Sequence, residues 1–351
     1  MGLREDAIGW GFKLFGATRL HRAAAPFTQG LGAILMLHRV REPTAGAYAP
    51  NRGLEITPAY LDAVLTHVRR RGFRIVSLDE AVASLSAPRR GEPPLVALTF
   101  DDGTRDTMTD ALPVLERHGA PFTVFVTPGF ADRSARMWWI ELEDAILRLD
   151  RVRARTAQGV FDMPARDDGE KAAAFTGLYR QLRAGGEAEL LAVCADLCAM
   201  AGVDSAALVE EACLDWSGIE ALAAHPLVTI GAHTLTHPRL AKLTAEDARR
   251  EIGESRHILQ ARLGRAVEHF AYPVGDPTSA GAREFTMAAE LGFRCAVTTR
   301  PGMLFPGHAD HRTALPRLSI NGAFQSTEAL DVLLSGAPFF LVNGGRRLAV
   351  A

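Results

Sequence analysis

Two adjacent carboxylates, Asp101 and Asp102, end an apolar run and are followed at once by Gly103. Like charges side by side repel, and a cation beside them relieves the repulsion; a divalent metal would serve. Some 130 positions later, His233 and His237 stand four apart at the end of a second apolar run. One turn of helix or a tight loop brings such a pair to one side, within reach of one ion. One carboxylate and two imidazoles leave coordination positions open, which marks a catalytic rather than a structural metal site. An ion so held lowers the pKa of a bound water and polarises a carbonyl. The neighbouring carboxylate can take the water's proton, and the resulting oxyanion wants a backbone N–H aimed at it. The chemistry is hydrolysis of an amide or ester. Taken alone, Asp-Asp-Gly also fits a plain turn that caps a helix, and an HxxxH pair fits solvated or core histidines. Both together, each at a strand end, favour the metal.

These residues must be carried by strands. Residues 95–100, LVALTF, have the length and composition of a buried, parallel strand. Its carboxylates then lie at the C-terminal end, where barrels and open α/β folds put their chemistry. Further strands are expected at 33–40, 73–78, 121–126, 227–233, 266–273, 295–299 and 314–320. His38 ends the first of them, on the same rim if the strands are parallel. Between them lie helical patterns: one capped by Thr57 with Pro58 at its first position, one at 104–118 bent by Pro113, and one capped by Thr244. Strand–helix alternation predicts a parallel sheet of seven or eight strands, closed as a barrel or left open. From 137 to 216 the alternation breaks, no good strand appears, and a helical insertion is expected, opening on Trp138 and Trp139. It either covers one face of the barrel or walls a substrate cleft.

The chain has 351 residues, 48% of them apolar, enough for one large domain or two modest ones. A net charge of −2 gives no argument for a nucleic-acid partner. Cys194, Cys198, Cys213 and Cys295 have no zinc-finger spacing and are expected to be buried, free thiols. No stretch approaches the ~18 apolar residues of a spanning helix. Residues 1–30 lack the apolar core of a secretory signal; Ile8, Phe12 and Phe15 recur at helical spacing among Arg4, Lys13, Arg19 and Arg22. That segment is expected to pack on the domain as an amphipathic helix or to rest on a membrane surface. The location expected is cytoplasmic, at the inner membrane surface in the second case. His308 and His311 are expected to be solvated.

The pair TFDDG and HTxxH resembles the polysaccharide deacetylase family, also called the NodB-homology or carbohydrate esterase family 4 domain. The resemblance spans most of 30–325, interrupted by the insertion. It implies an α/β fold, a distorted (β/α) barrel of about seven parallel strands. The division implied is an N-terminal helical segment at 1–30, a barrel at 31–136 and 217–325, the insertion at 137–216, and a C-terminal helix and tail at 326–351. It further implies a metal-dependent hydrolase that removes acetyl groups from N-acetylated sugars of a glycan or glycan precursor. Asp101 would be the general base, Asp102, His233 and His237 the metal ligands, and the N–H of Val274 the oxyanion donor. The ion would be zinc first, with cobalt, nickel, manganese or iron as alternatives. Trp138, with Tyr272 and Pro273 of the FAYPVG motif, would meet the sugar.

Three departures qualify the resemblance. The family's Arg in the third motif is Ala271 here, no Asp-Trp stands near Cys295, and the last strand reads Leu315-Pro316-Arg317-Leu318 where a Leu-x-His is usual. His38 is therefore the candidate acid, and Arg317 the candidate replacement for the missing Arg. Alternatives are an O-acyl or non-sugar amide hydrolase, or a catalytically silent carbohydrate-binding barrel.

Overall fold

The computed structural model describes residues 18–43, 46–87, 91–348 and 350. The expected positions Arg4, Ile8, Phe12, Lys13 and Phe15 lie outside them. One sheet organises the rest. Its strands are β1 (Gly32–Leu37), β2 (Arg74–Val76), β3 (Leu95–Phe100), β4 (Phe122–Val126), β5 (Val228–Ala232), β6 (His269–Ala271), β7 (Cys295–Val297) and β8 (Leu318–Ser319). They run β7-β6-β5-β4-β3-β1-β8, all parallel. β3 pairs with β1 along its whole length, and its other edge is shared by β2 and β4. Leu315 bridges to Val297 while Leu318 pairs with Leu35, so residues 315–319 join the two ends and curl the sheet into a distorted barrel.

The two-residue period of a strand sorts the core into two layers. Ile34, Ala97, Phe125, Ala271 and Leu315 form one cluster within the barrel, which Leu78, Val82 and Leu85 of helix Leu78–Ser86 complete. Leu35, Leu98, Phe100, Val124 and Phe270 point the other way, under the outer helices. Asp101 shares the inward face with Ala97 and Thr99. A buried carboxylate at the mouth of a packed barrel thus follows from its register in β3.

The bend expected at Pro113 takes a definite form. Residues Thr107–Ala111 make a π-helical turn before helix Leu112–Arg117, because proline has no N–H for the regular ladder. The insertion differs from expectation. Besides helices Trp138–Arg148, Asp168–Ala184, Glu187–Ala201 and Ser205–Ala212 it holds an antiparallel hairpin, Arg151–Thr156 with Gly159–Pro164. Only Val152 is fully buried in its first strand, and exposed arginines alternate with it, so the segment carries little apolar signal. Leu142, Ile146, Leu178, Leu190 and Leu197 give the insertion a core of its own. All four cysteines are buried and free. No single helix among the described residues is long and apolar enough to cross a membrane.

The terminal helices are fastened by one carboxylate. Asp331, in helix Thr327–Leu334, is 4% exposed and lies 3.1 Å from His21 Nε2, 2.9 Å from Arg22, 3.3 Å from His67 and 2.6 Å from Arg71. Burial pushes its pKa up, but the bonds from His21 and Arg22 and the charge of Arg71 hold it below the usual carboxylate value. A depressed carboxylate stabilises the fold above its unfolded pKa of about 3.9, and that contribution fades as pH falls through the lower folded value. Asp331→Asn is therefore expected to lose roughly 2 kcal/mol at pH 7 in urea denaturation, with the gap to the parent narrowing as pH falls below the unfolded value of about 3.9 and through the lower folded one. A gap that does not narrow would refute the assignment.

Candidate active site

β3 delivers Asp101 at its end, and the chain then turns sharply. Asp102 has φ 72° and Gly103 φ 67°, left-handed values that swing the second carboxylate across the barrel mouth. β5 delivers His233. Thr234 (φ 61°) and His237 (φ 64°) are also left-handed, and the Thr234 hydroxyl accepts the His237 N–H at 3.0 Å, closing a tight loop. Glu251, from helix Ala245–Leu263, accepts the N–H groups of Leu235 and Thr236 at 2.9 and 2.8 Å and the Thr236 hydroxyl at 2.7 Å. This carboxylate fixes the spacing of the two imidazoles. Nothing in an HTxxH pattern points to it, since its partners are two backbone N–H groups and a hydroxyl at the unspecified positions of that pattern.

The donor set suits a metal. His233 Nδ1 lies 2.7 Å from the Ala271 carbonyl, which fixes the tautomer with Nε2 free, as ligating histidines are usually held. Asp102 Oδ1 lies 3.5 Å from His233 Nε2 and 3.4 Å from His237 Nε2, and is buried without a hydrogen-bond partner. Such separations are those of neighbouring ligands about one ion with bonds of about 2.0–2.2 Å. Burial alone would raise the Asp102 pKa, but His233 and His237 hold it well below the usual range. Asp102, His233 and His237 can thus hold a divalent ion; among the described residues no other group of three such donors comes together.

Asp101 is held differently. Arg317 grips it as a two-pronged fork, both N–O distances 2.7 Å, while also donating to the Thr298 carbonyl (2.8 Å) and the Thr99 hydroxyl (3.2 Å). Arg317 is 1% exposed, so it positions the carboxylate and does not meet a ligand. Burial pushes the Asp101 pKa up, yet the charges of Arg317 and His233 hold it below the ordinary value. His38 Nε2 stands 3.8 Å from Asp101 Oδ2, at the edge of the same cavity. Burial lowers the His38 pKa despite the carboxylates beside it, and Arg317 adds to the lowering.

The cavity over these groups measures about 270 Å³ and is walled by Trp138, Trp139, Tyr179, Val274 and Thr299. The two tryptophans pack edge to face, and Trp139 lies 4.7 Å from the His237 ring. Val274 has φ 62°, an outlier for a β-branched residue, and Gly275 follows at φ 62° with Thr299 N only 2.8 Å from where a Cβ would sit. The Thr299 hydroxyl donates to the Val274 carbonyl at 2.7 Å and braces the turn. Asn51, Tyr179 and Thr299 line the cavity without any motif to announce them.

Two expected contacts are corrected. Tyr272 is fully buried, with its hydroxyl on the Thr313 carbonyl at 2.8 Å, and Pro273 is buried too; neither lines the cavity. Tyr272 shares the outward face of Phe270, two residues back, and the strand period carries that information. His308, expected in solvent, is buried beside Phe305, and its pKa is lowered by burial to about 4.

A parallel barrel with two aspartates and two histidines gathered at the C-terminal ends of its strands defines a class of barrel hydrolases. The chain belongs to the polysaccharide deacetylase family, whose model matches residues 89–296. Its fold is shared by the Streptococcus pyogenes deacetylase PplD in complex with acetate (19% identity, 85% of this chain and 95% of that one, TM-score 0.56). IcaB from Ammonifex degensii is similar at 18% identity (86% and 97%, TM-score 0.52). A de-N-acetylase from Aggregatibacter actinomycetemcomitans is similar at 13% (86% and 98%, TM-score 0.52). No curated protein sequence matches.

Removing Arg317 leaves a buried carboxylate uncompensated. Arg317→Met is expected to cost about 3–5 kcal/mol in equilibrium unfolding. The double variant Asp101→Asn/Arg317→Met should recover a large part of that loss, because the orphaned charge is gone. Strict additivity of the two substitutions would refute the pairing.

Proposed function

We propose that the protein is a metal-dependent deacetylase that removes acetyl groups from N-acetylated sugar units of a glycan or glycan precursor. The observation that carries this reading is the division of labour between the two adjacent aspartates. Asp102 faces His233 and His237, while Asp101 is turned away onto Arg317. A divalent ion held by Asp102, His233 and His237, zinc before cobalt, nickel, manganese or iron, supplies Lewis acidity to the carbonyl and acidifies water.

The chain's own residues do the rest. Asp101, kept ionised by Arg317, accepts the proton of the attacking water. The buried fork points the carboxylate in one direction, so no reorganisation is needed. The Val274 N–H, presented at the cavity by a left-handed turn, donates to the oxyanion. His38, neutral at rest because burial lowers its pKa, stands close enough to Asp101 to receive the proton and deliver it to the departing amine. Trp138, Trp139 and Tyr179 shape the wall for the sugar. The names of the structural relatives, PplD with acetate and a de-N-acetylase, are consistent with N-acetyl substrates.

Membrane proximity belongs to the same proposal. Leu20 and Phe27 of helix Leu20–Thr28 and Leu341 and Val342 of helix Ala337–Val342 are exposed, and the two helices pack together. Such a patch suits contact with the inner surface of a membrane, where a lipid-linked glycan precursor would be met.

The test is acetate release from short N-acetylglucosamine oligomers by protein stripped of metal and reloaded with Zn²⁺ or Co²⁺. Asp101→Asn is expected to lose at least ~10²-fold in kcat while still binding one ion, and His38→Ala ~10²–10⁴-fold with the ion retained. His237→Ala is expected to lose the ion itself. Acetate from a simple acetyl ester alone would make the protein an O-acyl hydrolase. Stoichiometric metal with no acetate from either substrate would make it a carbohydrate-binding barrel.

A further inference from the structure

Beside the active-site cavity lies a second one of about 420 Å³, and the two share Asn51, Leu54 and Trp139. Its lining is rich in carboxylates: Glu55, Glu143, Asp144, Asp168 and Glu211. The two arginines there are already engaged, Arg39 with Asp106 at 2.7 Å and Arg41 with Glu55. Asp144 pairs with Arg148 at 2.7 Å. Glu143 is different. It is half-buried, it accepts a 2.6 Å hydrogen bond from Asn51 Nδ2, and among the described residues it has no cationic partner. Burial raises its pKa against the hydrogen bond from Asn51; Glu55 and Asp144 add to the rise, and the charge of Arg41, itself paired with Glu55, opposes it. No cation is in direct contact with this carboxylate among the described residues.

An independent observation points the same way. Tyr48 lines this cavity, is 8% exposed, and its hydroxyl is buried with no hydrogen-bond partner. An unpaired buried hydroxyl is unfavourable, and it is retained here beside Glu143 and Asp144, whose charges act on it. A ligand donor or acceptor reaching this wall would satisfy it.

We propose that the second cavity is a subsite for a primary ammonium, and that its ligand is a sugar unit already carrying a free amino group, next in the chain to the unit being deacetylated. The identity of the sugar rests on the deacetylase reading. The chemistry selects that unit: an acetamido group is neutral and leaves Glu143 without a direct cationic partner, whereas the ammonium left by deacetylation supplies one. Asn51 couples the two cavities, since it lines both and also donates to the Trp139 carbonyl at 2.9 Å. A product unit of one turnover then becomes a recognition element for the next, and the enzyme works most readily on partly deacetylated chains, in blocks.

The test is calorimetric binding of a fully deacetylated glucosamine tetramer, which offers no acetyl group to hydrolyse, at about pH 6 where the amines are protonated. A lysine-containing tetrapeptide is the second ligand. The tetramer is expected to bind, with affinity that falls as salt is raised, about ten-fold more weakly in Glu143→Gln and measurably more weakly in Tyr48→Phe. Unchanged affinity in a Glu143→Gln protein that keeps the parent's unfolding midpoint would overturn the subsite, as would salt-independent binding. Tighter binding of the peptide than of the tetramer would overturn its assignment to sugar. Acetate release from the acetylated tetramer is scored separately, so a failed subsite and a failed deacetylase are told apart.

Discussion

The fork between Arg317 and Asp101 is the interaction on which the rest of the site depends. A carboxylate 2% exposed inside a packed barrel is tenable as an anion only with a charge and directed hydrogen bonds beside it. Arg317 supplies both, and its position reflects the barrel's closure. It comes from the stretch that joins β7 to β1, so Asp101, 216 positions earlier, acquires its partner only when the ring closes. Barrel topology and readiness for chemistry are therefore one condition.

The second aspartate shows how adjacent identical residues come to differ. Asp101 follows the inward face of β3, along with Ala97 and Thr99. Asp102 stands one residue past the strand, on a left-handed backbone that turns its side chain to the histidines. The same carboxylate chemistry thus yields one group paired with a guanidinium and one left open to a cation. Outside the barrel, Glu251 determines how far apart His233 and His237 stand by gripping backbone N–H groups between them. The site is a construction of three layers: strand ends, turns, and an outer helix that pins one turn.

Much of this was legible in the sequence, and the unevenness has physical causes. Asp101, Asp102, His233 and His237 were readable because apolar strands deliver them, and strand ends in parallel sheets converge. Arg317 was readable only as a substitute for a missing arginine; that it forks onto Asp101 depends on ring closure, a contact no local pattern encodes. The hairpin at 151–164 carries a weak signal because the inward positions of its first strand are Val152, Ala154 and Thr156, of which only Val152 is large, apolar and fully buried. The FAYPVG motif points Tyr272 at the ligand, but its two-residue spacing from the core residue Phe270 puts it on the outer face. Asn51, Tyr179 and Glu251 lie on separate segments and meet only through the insertion or an outer helix packing on the barrel.

The backbone at Asp102, Thr234, His237 and Val274 has a wider consequence. Each of these non-glycine residues occupies a conformation that costs roughly 1–2 kcal/mol relative to ordinary geometry. The scaffold holds them there, and the same three turns carry Asp102, the histidine pair and Val274. Selection for heat resistance alone would relax these positions first, toward glycine or asparagine, and would erode the cavity in doing so. Variants of this protein evolved for stability without an activity screen would thus be drawn toward robust but idle barrels, and the turns mark where that drift would begin.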